Sequence, residues 1–189
     1  FEFNFLKRVR QNDSSKEEIG SKAADLVQPN QTVMMDSGTT TLAIAHHLKD
    51  KDAITLITTS LPIASMMQSY EHIRILLLGG FVRKGTPDMI GPITESNLEN
   101  LHANIAFVGA DAIDAKGNVY NDVPHIGRML GIMVKAADKV YIVADNTKIG
   151  KTSLMRFCKL ADVEALITDS KSDKSILTGF RRTGIKVIV

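Results

Sequence analysis

The chain of 189 residues has one cysteine, no tryptophan, five prolines and few aromatics (5%). With Cys158 alone, neither an intrachain disulfide nor a multi-cysteine metal site can form, and a reducing compartment, the cytoplasm, is expected. No apolar run approaches the roughly 18 residues that a membrane span needs, so no membrane partner is expected. Charge of one sign is also lacking: 23 basic against 21 acidic residues leave +2, spread along the chain. This segment is therefore a poor nucleic-acid binder on charge grounds. The first residues, Phe1 to Arg8, show neither an initiator methionine nor a secretory signal, which is the expectation for a piece of a longer protein. Metal chemistry is not expected either. His46 and His47 are sequence neighbours, which diverge on a helix, and read as solvated helix residues.

What is present is a steady alternation of β-branched apolar runs with helical patterns. Strands are expected at residues 32–35, 54–58, 73–78, 104–108, 140–144, 165–168 and 185–189, several of them apolar throughout, as strands covered on both faces should be. Helices are expected at 40–48, 62–70, 95–102, 127–137 and 172–181, with one more opened by a capping box, Ser15-Lys16-Glu17-Glu18. The fold class that follows is α/β, with a mostly parallel, doubly wound, Rossmann-like sheet in three layers. Residues 109–127 interrupt the alternation; the turn chemistry of Asp114 to Asn118 predicts a hairpin or flap. Residues 1–13, with Phe1, Phe3 and Phe5 at period two, read as an arm that packs on the domain or on a partner chain, and residues 14–189 as the domain itself.

Open parallel sheets bind ligands beyond the carboxyl ends of their strands, so the chemistry is sought there. The first strand runs into Asp36, Ser37, Gly38, Thr39, Thr40 and Thr41. Glycine lets a ligand approach the backbone, the hydroxyls donate, and the next helix offers free amides and a positive dipole end, which outlines a phosphate cradle. The same residues also suit a plain helix cap. The other candidate ends are Thr59 and Ser60, the pair Gly79 and Gly80, Gly109 with Asp111 and Asp114, and Lys148. Paired carboxylates suit acid/base work or sugar hydroxyls, and a lysine suits a phosphate; each is also an ordinary turn residue. His125 and Arg128 open the helix after the flap. Cys158 and the pair Met66 and Met67 read as packing residues. Neither a nucleotide P-loop nor a Gly-x-Gly-x-x-Gly after a strand occurs, so no nucleotide cofactor is expected, and none of another kind.

The ordered set of these motifs resembles the C-terminal sensor domain of DeoR-family transcriptional repressors over about residues 16–189. It comprises Met35-Asp36-Ser37-Gly38-Thr39-Thr40-Thr41, Thr58-Thr59-Ser60-Leu61, Leu78-Gly79-Gly80, Ile90-Gly91-Pro92, Phe107-Val108-Gly109-Ala110-Asp111, Ala144-Asp145-Asn146-Thr147-Lys148 and Ile167-Thr168-Asp169. The resemblance implies a fold like that of ribose-5-phosphate isomerases and CoA-transferases, with the phosphate on Ser37 to Thr41 and the sugar against Gly109 to Asp114. It further implies a phosphorylated-sugar effector, operator DNA bound through a separate N-terminal helix-turn-helix domain, and a homo-oligomer. Thr59 departs from the family's usual Asn, Asn146-Thr147 from its usual Ser-Ser, and His125, Ile126 and Arg128 stand where a Glu with Lys-Arg is usual. The alternative is an aldose–ketose isomerase acting on a sugar phosphate, with Asp111 or Asp114 as base and Lys148 as electrostatic partner.

Overall fold

The structure is a computed structural model that describes residues 2–189, with the side chains of 2–4 and 6 left aside. In chain order, α1 (Glu2–Arg10) and α2 (Asp13–Asp25) precede β1 (Thr32–Met35), α3 (Thr39–Leu48), β2 (Thr55–Thr58), α4 (Leu61–Met67) and β3 (Arg74–Leu77). A two-stranded hairpin of β4 (Phe81–Val82) and β5 (Met89–Ile90) leads to α5 (Pro92–Glu99) and β6 (Ala103–Gly109). Then follow β7 (Ala112–Ile113), β8 (Asn118–Asn121), α6 (Pro124–Lys135), β9 (Ala137–Val143), β10 (Met155–Lys159), β11 (Ala165–Ile167), α7 (Lys174–Arg182) and β12 (Val187–Ile188).

Seven strands make one sheet in the order β12-β11-β9-β6-β1-β2-β3, with every neighbouring pair parallel. They are the seven strands expected from the sequence. Their pleats divide the core in two. Val33, Met35, Leu56, Ile105, Phe107, Tyr141, Val143 and Ile167 face one way and pack with Ile19 and Ala23 of α2, Ile44 and Leu48 of α3, and Ile63 and Met67 of α4. Met34, Ile57, Ala106, Val108, Val140, Ile142 and Leu166 face the other way, onto Leu98 of α5, Met129 and Met133 of α6, and Leu177 and Phe180 of α7. Apolar residues on both sides of the pleat force this three-layer solution, because each face must be covered.

The expected flap is a three-stranded antiparallel sheet, β7-β8-β10, whose third strand had no counterpart in the sequence reading. Its residues, Met-Arg-Phe-Cys-Lys, alternate too irregularly to read as a strand, and a register shift between Arg156 and Cys158 accounts for that. Two helices begin earlier than expected, at Pro92 and Pro124. In each, proline occupies the first helical position, where its fixed φ is preorganised and its missing N–H costs nothing.

Of the period-two phenylalanines, Phe1 lies outside the described residues and Phe5 is buried on α1, a helix that packs against α3. The expected capping box is corrected: Ser15 does not cap α2. The helix starts at Asp13 after Asn12, which takes the left-handed turn (φ 53°), so Ser15 falls inside it, buried and with its hydroxyl unpartnered among the described residues. Glu18 instead accepts from Lys22 Nζ (2.7 Å) and from the amide and hydroxyl of Ser170 (3.1 and 3.0 Å).

Helices α2 and α3 touch through Gly20. A Cβ there would meet the Ala43 carbonyl oxygen at 2.9 Å and the His47 ring at 3.0 Å. Gly20→Val should therefore cost about 1–3 kcal/mol by overpacking, read as a lower urea midpoint at unchanged slope; an unaltered midpoint would refute this contact. On β10, burial, with Asp162 adding to it, pushes the Cys158 thiol up to about 12. Since the thiolate is the nucleophile, Ellman's reagent should label folded protein slowly and urea-unfolded protein at least tenfold faster, because an ordinary thiol carries far more thiolate than this suppressed one. Equal rates would mean that the thiol is not held this way.

Candidate functional site

The sheet reverses its winding between β1 and β6. Chain order runs outward from β1 through β2 to β3 on one side and from β6 through β9 to β12 on the other. At such a switch point the loops after the two strands part and leave a crevice. Asp36 sits in it, 6% exposed, with Oδ1 accepting from the Gly38 amide (3.1 Å) and the Thr41 hydroxyl (2.7 Å) and Oδ2 from the Gly109 amide (3.1 Å). Burial pushes its carboxyl above the usual carboxylate range against the pull of these three donors. Above Asp36 opens a cleft of about 430 Å³, large enough for a small polar metabolite.

The loop after β1 forms one wall. Gly38 is the N-cap of α3 and carries no capping side chain, so the first-turn amides of that helix have no partner within it and the positive end of its dipole faces the cleft. The four hydroxyls divide. Thr41 is fully buried on Asp36 and does not line the cleft, while Ser37 donates to Asp88 Oδ2 at 2.6 Å. Thr39 and Thr40 line the cleft with Ser37 and Gly38.

The loop after β2 and the glycines after β3 do different work. Thr59 is fully buried, its hydroxyl has no partner among the described residues, and its carbonyl accepts from Met89. Ser60 caps α4 through the Ile63 amide (3.3 Å), and Leu61 donates to the Pro87 carbonyl. Gly79 accepts the Thr94 hydroxyl (2.7 Å); a Cβ on Gly80 (φ 152°) would lie 2.1 Å from that hydroxyl and 2.6 Å from the Ile90 carbonyl. None of these four lines the cleft. Together they seat the β4–β5 hairpin, which the sequence reading did not contain, and the hairpin carries Arg83 and Thr86 to the cleft wall.

On the β6 side, Gly109 and Asp111 line the cleft, with Asp111 accepting the Asp122 amide (3.1 Å) and lying 3.9 Å from Arg8. Asp114 does not reach it. Burial raises that carboxyl, but donors from the Asn118 side chain and amide, the Tyr120 hydroxyl and the Lys116 amide outweigh burial and hold it below the usual range as the knot of the flap turn. His125 and Arg128 are exposed outside the cleft, Arg128 paired with Glu95 at 3.0 Å. Lys148 lines the cleft from a 3-10 turn (Asn146–Lys148) that Asp145 caps through the Thr147 amide (2.9 Å). Asn146 reaches back to fully buried Asp169, with its amide at 2.6 Å and its side chain at 2.9 Å.

The remaining wall is the α1–α2 junction: Arg8, Gln11, Asn12 and Lys16. Lys16 is 4% exposed, and its ammonium donates to the carbonyls of Arg8, Val9 and Gln11 at the negative end of α1. Burial holds it below the ordinary lysine range, with Asp145 opposing. Sequence reasoning missed Lys16 because a lysine inside an amphipathic helix looks solvated, and missed Arg83 and Asp88 because a hairpin with two-residue strands has no periodicity. The signal available for the latter was Arg83 and Asp88 flanking Gly85-Thr86-Pro87, a turn between two opposite charges. Among the described residues there is no metal-holding cluster of His, Cys, Asp and Glu and no helix long and apolar enough to cross a membrane.

A transcriptional regulator of Haloferax volcanii, GlpR, is 30% identical over 94% of this chain and 69% of its own length; the transcriptional repressor GlcR of Bacillus subtilis is 30% identical over 98% and 71%. The chain thus spans about two thirds of these relatives. In structure it resembles ribose 5-phosphate isomerase A of Neisseria gonorrhoeae (TM-score 0.52, 18% identity, 74% of this chain and 54% of that one) and eIF2B delta of Chaetomium thermophilum (0.59, 12%, 87% and 58%). Identities this low speak for the shared α/β fold alone. The model of the DeoR C terminal sensor domain matches residues 11–170, and the chain belongs to that family.

Proposed function

We propose that this chain is the effector-binding domain of a DeoR-type bacterial transcriptional regulator of carbohydrate metabolism and that its cleft takes a phosphorylated sugar. The observation that carries the reading is the convergence, at one switch point, of the free amides of α3 with Arg8, Arg83 and Lys148 around a cleft of metabolite size. The phosphate lies on Gly38, Thr39 and Thr40, and the sugar hydroxyls face Gly109, Asp111 and Lys148. Operator DNA is bound by a helix-turn-helix domain that this segment lacks, as the name of the HTH-type relatives suggests, in a cytoplasmic homo-oligomer. Ligand acts by favouring one of two arrangements of the whole regulator, for which no turnover is needed.

Isothermal titration with matched pairs of phosphorylated and free sugars should show binding only of phosphorylated members; equal or absent binding of both sets would sink the reading. Gly38→Asp places a carboxylate where the phosphate sits, while its Cβ meets Asp36 Oδ1 and Thr41 Oγ1 at a tight but tolerable 3.2 and 3.3 Å. It should weaken binding of the preferred sugar phosphate by about tenfold or more, roughly 1.4 kcal/mol, with an unchanged circular dichroism spectrum. An isomerase would need a base, and Asp111 with Lys148 are the groups in the cleft that suit one. Sustained interconversion of pentose or hexose phosphates by the purified chain would replace the sensor reading with the enzymatic one.

A further inference from the structure

Resting on the reading above, we infer that Arg83 is the cation that meets the phosphoryl group, and that buried Asp88 is the residue that positions it. The inference begins from what the phosphate loop lacks. Its hydroxyls at Ser37 and Thr41 are spent on Asp88 and Asp36, and it contains no basic residue, so a dianion held there needs a positive charge from another element. Among the described residues four cations line the cleft. Lys16 donates to three backbone carbonyls, Arg8 leans on Asp111, and Lys148 stands on the turn after β9, on the far side of β6 from the loop. Arg83 is the one physically tied to the loop.

The tie is Asp88, wholly buried between the two. Its Oδ1 accepts Arg83 Nε at 2.9 Å, and its Oδ2 accepts both Arg83 Nη2 at 2.8 Å and the Ser37 hydroxyl at 2.6 Å. Because two donors meet on one oxygen, the guanidinium is fixed beside the first residue of the loop. The carboxylate occupies the Nε and Nη2 edge of the fork. Nη1 makes no hydrogen bond among the described residues, and Arg83 is on the cleft wall with 22% of its side chain exposed. A planar guanidinium held by a bidentate carboxylate on one edge offers its remaining N–H groups in a set direction, which suits an anion with several oxygens. A hairpin staple alone would not need the carboxylate to reach across to Ser37.

Inorganic phosphate at constant ionic strength is the probe, titrated into the 189-residue chain and followed by thermal shift and by calorimetry. Arg83→Met should weaken phosphate binding by about tenfold or more with an unchanged circular dichroism spectrum, and Arg83→Lys should restore only part of it. Asp88→Asn should weaken it too, but should add nothing in the Arg83→Met background, since Asp88 acts through Arg83. That double variant also removes both charges, so it folds even where a lone buried carboxylate would not. Should Arg83→Met or the double variant bind phosphate as the unaltered chain does while Gly38→Asp does not, the role of Arg83 is overturned and the sensor reading stands. Absence of any phosphate binding by the unaltered chain would overturn this inference, while the sensor reading is decided by the titration with sugar phosphates.

Discussion

The carboxyl group of Asp36 accepts from the amide of Gly109 on the neighbouring strand as well as from Gly38 and Thr41 of its own loop, so the two oppositely wound halves of the sheet meet on one buried group. A polar side chain taken out of water must be paired or it costs stability, and here the pairing also sets geometry. With Oδ1 turned to its own loop and Oδ2 to β6, the loop cannot move without releasing a donor. The crevice that the topology opens is thereby given a fixed floor. Everything else in the cleft is arranged around that floor.

From this follows a division between groups that build the cleft and groups that face into it. The conspicuous hydroxyls and glycines largely build. Thr41 and Ser37 donate inward, Thr59 and Ser60 hold a strand end and a helix start, and Gly79 and Gly80 let the hairpin pass close to α5. What faces the cleft is the start of α3 with Thr39 and Thr40, the carboxylate of Asp111 and a set of long-chain cations. Such an arrangement is stiff, because its donors are part of a helix start and two of its cations are held in place, Arg83 by the buried carboxylate of Asp88 and Lys16 by the carbonyls that end α1.

The fold was legible because inner strands of a parallel sheet, buried on both faces, are written as apolar runs, and the half-buried edge strands β3 and β12 still carry enough branched apolar residues to be read. Helix starts were less legible. Ser15 and Glu18 match a capping box in spacing, yet Asn12 turns the chain three residues earlier and both side chains go elsewhere. In the site, strand ends could be read and partners could not. Asp36, Ser37, Gly38, Thr39, Thr40, Gly109, Asp111 and Lys148 line or floor the cleft because each follows a strand. Asp114, His125 and Arg128, chosen for their chemistry and nearness in sequence, are drawn to Tyr120, to solvent and to Glu95. Local chemistry identifies a donor or a charge. Which neighbour takes it is settled by tertiary packing.

The residues that sequence reading missed share a physical reason. Lys16, Arg83 and Asp88 are charged groups held by contacts over five to fifty-one positions; nothing local distinguishes Lys16 from a surface charge, and for Arg83 and Asp88 the turn between them is the whole local signal. Yet a buried charge without a nearby opposite or a set of carbonyls would be too costly to keep, so its presence argues for a purpose that solvent-exposed charges do not need. For Lys16 the purpose is visible: its ammonium holds the carbonyl end of α1 against the cleft, and the N-terminal helix becomes one of its walls. Hence the segment preceding the sheet domain, legible only as an arm, belongs to the same site as the loop after β1.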